Sequence, residues 1–183
     1  MEKVSSFVVK VASRCNLNCS YCYMYNMGDT TYMDQPKFMS NETVTQLARR
    51  LRTYVAESGL EKISLVFHGG EPLLCKKEFY ENFFATFKRE APDLNVEYLI
   101  QTNGVTLDQE WYDFFNSYNV ILGISMDGPK EFHDKYRVNH KGEGSYEEVS
   151  QAIRLGNSNN LSCVLIVMNE AIPPEEMYAE MKR

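Results

Sequence analysis

The sequence predicts an α/β protein built around a parallel sheet, and three observations support this prediction. Short apolar runs alternate along the chain with segments whose apolar residues recur about every 3.6 positions. Several of these runs are nearly continuous in valine, isoleucine and leucine, as in strands that are buried on both faces. Each cysteine- or glycine-rich stretch follows one of the runs. Repeated βα connections of this kind build parallel sheets, either open or closed into a barrel.

Five segments are predicted to be strands, because each is short and rich in β-branched or other apolar residues. They are VSSFVVKV (4–11), KISLVF (62–67), NVEYLIQT (95–102), VILGISM (120–126) and SCVLIVM (162–168). A helical pattern follows each of them, so the chain contains five βα units in a row.

Apolar stripes at helical spacing predict the helices, and we interpret their aromatic residues as core packing against the sheet. The clearest stripes consist of Val44, Leu47, Leu51 and Val55; of Phe79, Tyr80, Phe83, Phe84 and Phe87; and of Trp111, Phe114, Phe115 and Tyr118. Gly59 is predicted to end the first helix and Asp108 to cap the third. Ser145, with Glu148 three residues later, has the pattern of a capping box that begins a fourth helix, and a last helix is predicted to begin at 173–174.

The composition is that of a globular chain and argues against several functional classes. With 183 residues, 44% of them hydrophobic, the chain is long enough for one domain with a sizeable core. Its net charge of −6, with lysine and arginine scattered along the sequence, provides no basic surface for nucleic acid. No apolar run approaches the ~20 residues that span a bilayer, and residues 1–16 lack the pattern of a secretory signal. We therefore expect a cytoplasmic protein, in which thiols stay reduced.

The stretch CNLNCSYC (15–22) holds three of the five cysteines. An odd number of cysteines in a reducing compartment argues against a disulfide framework. Thiolates are soft ligands that select zinc, Cu(I) or iron–sulfur clusters. Structural zinc requires four protein ligands, yet no fourth Cys or His is close to the three cysteines in sequence. His68 could reach them only if the fold brings it near. A 4Fe–4S cluster held by Cys15, Cys19 and Cys22 would keep one iron open, so the spacing favours this cluster over zinc.

Three further motifs follow the next three strands. HGGEP (68–72) holds two glycines, which allow close approach of backbone to a ligand, and a glutamate that can pair with an ammonium group. Its histidine alone is interpreted as a hydrogen-bonded structural residue. NG (103–104) and DGP (127–129) are common turn sequences, and a simple turn is the competing interpretation of both. Since the C-terminal ends of parallel strands share one rim, we expect these motifs and the cysteines to gather there.

Other residues are predicted to have structural or surface positions. Cys75 and Cys163 match no cluster spacing and are predicted to be small buried apolar residues rather than ligands. His133, Arg137 and His140 occur in a polar segment that is predicted to be a solvent-exposed loop.

Taken together, these motifs resemble the radical S-adenosylmethionine (SAM) superfamily. The Cys15–Cys19–Cys22 spacing, with Tyr21 before the last cysteine, is followed by GGEP, QTNG and SMDGP in the family's order across residues 4–168. Within the superfamily, the chain is most similar to peptide- and protein-modifying members. These include anaerobic sulfatase-maturating enzymes and the maturases of ribosomally made peptides, which carry a C-terminal SPASM-type domain. The resemblance implies a partial parallel (β/α) barrel in which five βα units are present and a sixth is missing.

The resemblance also implies a role for each matching residue. Cys15, Cys19 and Cys22 would ligate three irons of a 4Fe–4S cluster, and the fourth iron would bind the amino and carboxylate groups of SAM. The expected SAM contacts are Gly69, Gly70 and Glu71 at the methionine end, Tyr21 and Tyr23 near adenine, Asn103 and Ser125 at the ribose or carboxylate, and Arg137 at a carboxylate. No catalytic residue is assigned beyond the cluster ligands.

The implied function is that of a radical SAM enzyme, which cleaves SAM with one electron and uses the 5′-deoxyadenosyl radical to modify a side chain. The expected partners are a peptide or protein substrate and an electron donor such as flavodoxin or ferredoxin; neither nucleic acid nor a membrane is expected. Residues 1–183 are expected to be the radical SAM core of a longer enzyme, with the SPASM-type domain, its auxiliary clusters and a general base beyond residue 183. Two other classes remain open on the sequence: an iron–sulfur electron-transfer or sensor protein without SAM chemistry, and a zinc-stabilised interaction domain.

Overall fold

A computed structural model of the chain describes residues 3–156, 159–168 and 170–182. Its centre is a parallel sheet whose strands follow one another in chain order. The strands are β1 (Ser6–Ala12), β2 (Ile63–Gly69), β3 (Val96–Thr102), β4 (Ile121–Ser125) and β5 (Leu161–Leu165). Every neighbouring pair is parallel, and β1 and β5 are the two edges of the unclosed sheet. The predicted fold class, a partial parallel (β/α) barrel, is confirmed.

Six helices connect the strands or follow the last one in the described part of the chain. They are α1 (Asn41–Ser58), α2 (Lys77–Glu90), α3 (Gln109–Ser117), α4 (Lys130–Tyr136), α5 (Tyr146–Gly156) and α6 (Pro174–Met181). Short 3₁₀ turns lie at Thr31–Asp34 and Pro72–Leu74. The sequence pattern does not predict α4, because its seven residues carry too few apolar side chains to form a stripe. Among the described residues, no helix is both long enough and apolar enough to cross a bilayer.

Local geometry confirms three predicted helix boundaries, at Gly59, Asp108 and Ser145, but at Ser145 the predicted capping contact is absent. Gly59 ends α1 with a left-handed φ of +64°, and the Asp108 carboxylate caps α3 by accepting from a backbone amide at 2.9 Å. The predicted capping box at Ser145 is wrong. The Asp134 carboxylate accepts from the amides of Ser145 and Tyr146 at 2.8 Å each, so α4 supplies the cap of α5.

The core lies between the sheet and helices α1, α2, α3 and α5. The aromatic stripes pack there as predicted: Phe67 of β2 makes edge-to-face contacts with Tyr80 and Phe83 at ring-centroid distances of 5.2 and 4.9 Å. All three rings are fully buried. Strand β5 departs from the predicted burial on both faces, since Val164 and Leu165 are 40% and 49% exposed. β5 is an edge strand that pairs with β4 alone.

Candidate functional site

The C-terminal ends of all five strands surround one cavity with a volume of about 490 Å³. Its lining comes from the loop after β1, the ends of β2, β3 and β4, the residue after α4 and the segment that leaves β5. All eleven predicted site residues are part of this lining: Cys15, Cys19, Tyr21, Cys22, Tyr23, Gly69, Gly70, Glu71, Asn103, Ser125 and Arg137. The structure therefore brings the predicted residues together at one rim, and their individual roles remain predictions. The volume lies in the range typical of small-molecule sites.

The cysteine loop is held in place by the segment that follows α4. The amide of Asn18 donates to the Val138 carbonyl at 2.7 Å, and the amide of Ser20 donates to the Tyr136 carbonyl at 3.2 Å. His140 Nε2 lies 2.9 Å from the carbonyl oxygen of Cys15, and His140 is exposed as predicted. These backbone contacts fix the direction in which the three thiols point without using the thiols themselves.

Burial keeps the metal-free thiols of Cys15 and Cys19 protonated. It raises the pKa of Cys15 to about 12, an effect to which the charge of Glu71 adds, and it also raises the pKa of Cys19. Both thiols are therefore neutral at neutral pH, and binding of a metal must displace their protons. In the described part of the chain, no three His, Cys, Asp or Glu side chains form a group placed to hold a metal ion. Support for a cluster therefore comes from the cavity and its chemistry rather than from a preformed metal geometry.

The other two cysteines lie outside the cavity lining. Cys75 is buried as predicted, and its thiol donates to the Val11 carbonyl at 3.6 Å. Cys163 was expected to be buried, and this prediction is wrong: it is exposed on the edge strand β5.

The two glycines of the HGGEP motif are required by the approach of neighbouring segments of this chain. Gly69 has a φ of +132°, and a Cβ there would lie 2.2 Å from the Ala12 carbonyl oxygen. A Cβ on Gly70 would lie 2.0 Å from the Tyr25 hydroxyl and 2.2 Å from the Arg14 carbonyl oxygen. A side chain on Gly69 would therefore separate the end of β2 from the end of β1, and one on Gly70 would push away the loop that follows β1.

Glu71 is fully buried, and its carboxylate joins the ends of two strands. Oε1 accepts from the Leu73 amide at 2.8 Å and from the Thr102 hydroxyl at 2.7 Å, and Oε2 accepts from the Asn103 amide at 2.8 Å. Burial raises the pKa of Glu71, and these three hydrogen bonds oppose that shift. A carboxylate offers about four acceptor positions, so one position remains for a further donor.

Behind the cysteine loop, a buried polar cluster joins Tyr21, Asp127 and Arg137. The Tyr21 hydroxyl donates to the Asp127 carboxylate, and Arg137 Nη1 donates to the Tyr21 oxygen at 2.8 Å. Asp127 also accepts from the Val167 amide at 3.1 Å and lies 3.8 Å from the Arg137 guanidinium. The cluster thus ties the cysteine loop to β4, α4 and the segment after β5. Asp127 was missed as a functional candidate because its DGP sequence has the pattern of a turn.

The prediction that His133 and Arg137 lie in an exposed loop is wrong, since both are buried. His133 Nδ1 accepts from the Asp127 amide at 3.3 Å, and its Nε2 lies 3.0 Å from the Ser145 hydroxyl. That hydroxyl donates to the Arg137 carbonyl at 2.7 Å, so the ring is the neutral tautomer with its proton on Nε2. Burial, reinforced by the Arg137 charge, lowers the pKa of His133 to about 4.

The remaining predicted residues lie around the mouth and wall of the cavity. Asn103 Nδ2 donates to Asn16 Oδ1 at 2.7 Å and lies 3.7 Å from the Cys15 sulfur. Ser125 accepts from the side chain of Gln101 at 2.8 Å. Tyr23 is 61% exposed, which places it at the outer edge.

Two buried donor atoms at the cavity have no hydrogen-bond partner among the described residues. They are the hydroxyl of Tyr25 and Nε of Arg137. Buried donors are rarely left unpaired, and the residues that carry these two line a cavity that also holds three thiols. The lining therefore fits an electron-rich group bound by thiolates, beside a ligand that carries a carboxylate.

The fold and the cavity define an α/β protein of the partial-barrel class with a cysteine-bearing cofactor site at the C-terminal ends of its strands. Residues 9–182 match the model of the Radical SAM superfamily, so the chain belongs to the radical SAM superfamily. This membership confirms the resemblance given by the sequence motifs, together with the expectation of a 4Fe–4S cluster and SAM as cofactors.

Several curated relatives carry the names of sulfatase-maturating enzymes. The chain is 31% identical over 172 residues to a cysteine-type anaerobic sulfatase-maturating enzyme of Clostridium novyi, which covers 93% of this chain and 45% of the relative. It is 35% identical over 148 residues to a serine-type enzyme of Bacteroides thetaiotaomicron, covering 81% of this chain and 35% of the relative. The chain therefore spans less than half the length of these relatives.

Solved structures of one such enzyme share the fold. The native enzyme anSMEcpe with bound AdoMet has a TM-score of 0.82 and 28% identity, covering 97% of this chain and 48% of that one. The same enzyme with AdoMet and the Cp18Cys peptide has a TM-score of 0.81 and 27% identity, covering 99% and 48%.

Proposed function

We propose that this chain is the radical SAM domain of an enzyme that modifies a side chain of a peptide or protein. The observation that carries the proposal is the convergence of eleven residues, drawn from separate strand ends, on one cavity. Relatives named for the maturation of sulfatases, and a solved neighbour that contains a peptide, support a peptide or protein as the substrate.

In this proposal, Cys15, Cys19 and Cys22 bind three irons of a 4Fe–4S cluster and leave the fourth for the amino and carboxylate groups of SAM. When bound, the cluster and SAM supply a one-electron cleavage that yields methionine and a 5′-deoxyadenosyl radical, which takes a hydrogen atom from the substrate. Flavodoxin or ferredoxin is the proposed class of electron donor.

The chain's own residues bind and orient SAM in this proposal. Gly69 and Gly70 bring the backbone of β2 against the methionine end, and the remaining acceptor position of Glu71 faces the ammonium group. The unpaired Nε of Arg137 is a buried donor for a carboxylate, and such charge-assisted bonds are strong where water is excluded. Asn103 and Ser125 are assigned to the ribose or carboxylate. Tyr21 and Tyr23 are assigned to adenine, with Tyr21 held rigid by its two hydrogen bonds.

The alternative function is that of an iron–sulfur electron-transfer or sensor protein, which would bind a cluster without SAM. Anaerobic reconstitution of the chain tests both functions. We expect iron and sulfide in wild type, loss of both in Cys19→Ala, and full retention in the matched control Cys163→Ala, whose thiol lies outside the cavity. Addition of dithionite and SAM should then release 5′-deoxyadenosine from wild type. A cluster without any cleavage of SAM would support the alternative.

A further inference from the structure

The hydroxyl of Tyr25 is a buried polar group to which the proposed function gives no role. It has no hydrogen-bond partner among the described residues and lies in the lining of the cavity. Leaving such a group unpaired costs as much as losing a hydrogen bond, so it is rarely seen without a reason.

The position of this hydroxyl is fixed on three sides. The Tyr25 amide donates to the Cys22 carbonyl at 3.2 Å, which ties the residue to the last turn of the cysteine loop. Its ring packs edge-to-face on Tyr32 at a centroid distance of 4.6 Å and an interplanar angle of 87°. Its oxygen occupies the space that a side chain on Gly70 would fill. The hydroxyl therefore cannot swing away without disturbing both neighbouring segments.

Tyr25, which carries this hydroxyl, lines the same cavity as the three thiols of Cys15, Cys19 and Cys22. Burial raises the pKa of Tyr25, and the charges of Cys15 and Cys22 are the next largest contributions to that rise. The group consequently stays protonated at any working pH and acts as a hydrogen-bond donor toward electron-rich neighbours. Once a cluster is bound, its sulfurs are electron-rich acceptors in the cavity that Tyr25 lines.

We propose that the Tyr25 hydroxyl donates a hydrogen bond to a sulfur atom of the bound cluster, either a cysteine thiolate or a sulfide, and thereby raises the reduction potential of the cluster. Hydrogen bonds to cluster sulfurs are one of the ways in which a protein sets this potential. A donor stabilises the reduced cluster more than the oxidised one, because the reduced cluster carries one more negative charge. This inference rests on the proposed function, since it requires that the three cysteines hold a cluster.

A redox titration of the reconstituted protein, followed by electron paramagnetic resonance, tests the inference. Tyr25→Phe keeps the ring and its contact with Tyr32 but removes the donor. The equilibrium constant for reduction should fall about tenfold, which is ~59 mV for a one-electron couple. The control Tyr32→Phe removes the hydroxyl of the adjoining ring and should leave the potential unchanged.

Each result has a distinct meaning. A wild-type protein that binds no iron contradicts the proposed function itself. A Tyr25→Phe protein that binds a full cluster with an unchanged potential overturns the inference alone, and a loss of SAM affinity at unchanged potential would assign the hydroxyl to SAM instead. If Tyr25→Phe fails to assemble a cluster, 3-fluorotyrosine at position 25 decides the question. Its more acidic hydroxyl is a stronger donor, so the potential should rise, and a potential that stays the same or falls overturns the inference.

Discussion

Replacing Glu71 by glutamine should lower the free energy of unfolding by about 2–4 kcal/mol. The amide oxygen of glutamine can still accept from the Leu73 amide and the Thr102 hydroxyl, as Oε1 does now. The amide nitrogen would then take the place of Oε2 and face the Asn103 amide, which is also a donor. The variant thus loses one bond to a charged acceptor, worth roughly 1.5–3 kcal/mol, and leaves a buried N–H unpaired at a cost of about 1–3 kcal/mol. Because these two costs overlap, the expected total is less than their sum.

Urea unfolding of the metal-free protein under reducing, anaerobic conditions measures this change. Glu97→Gln is the matched control: Glu97 lies on β3 and pairs with Lys62 at 2.6 Å, but both side chains are partly exposed. Such a pair contributes about 0–1 kcal/mol. A Glu71→Gln protein that unfolds at the same urea concentration as the control would refute the view that this carboxylate holds the strand ends together. If the variant folds, a tenfold or greater loss of SAM affinity would support the contact proposed between Glu71 and the ammonium group of SAM.

Three further predictions concern protonation and close packing. Between pH 7 and 5, the free energy of unfolding should fall by about 2 kcal/mol more in wild type than in His133→Asn. In this pH range the imidazole of His133 binds a proton in the unfolded chain but stays neutral in the folded one, where its pKa is lowered to about 4. Equal pH profiles of the two proteins would contradict this. In the metal-free protein at pH 8, Cys15 should react with iodoacetamide at least about tenfold more slowly than in the urea-unfolded chain, because burial raises its pKa to about 12. Mass spectrometry measures the two rates, and equal rates would contradict the burial of this thiol. Gly70→Ala should lose about 1–3 kcal/mol of stability in the same urea assay, since its methyl group would overlap the Tyr25 hydroxyl, and an unchanged midpoint would show that the loop yields easily.

The sequence predicts the strands and the convergence of the motifs because both follow from local patterns. Apolar runs mark the strands, and the C-terminal ends of neighbouring parallel strands must share a rim whatever the details of the packing. Cys15, Gly70 and Asn103 were therefore expected at one edge of the sheet, and all three line the cavity.

These local patterns could not predict contacts between polar residues that are far apart in the sequence. Tyr21 and Arg137 are 116 residues apart, and nothing in the charged sequence around Arg137 shows that its guanidinium is buried. The same is true of Asp134, which caps α5 in place of the expected capping box. Tyr25 was missed because an aromatic residue after the last cysteine carries no signal until its unpaired hydroxyl is seen beside Gly70.

In the proposed function, this cavity holds a cluster to which SAM binds directly. Electron paramagnetic resonance of the reconstituted and reduced chain, recorded with and without SAM, tests it most directly. We expect the signal of a reduced 4Fe–4S cluster in wild type and a clear change in that signal when SAM is added, because the open iron would gain new ligands. The change should be weaker at equal SAM concentration in Arg137→Ala, which loses the buried donor for a carboxylate. Identical spectra of wild type with and without SAM would contradict direct binding of SAM to the cluster and favour an iron–sulfur electron-transfer or sensor protein.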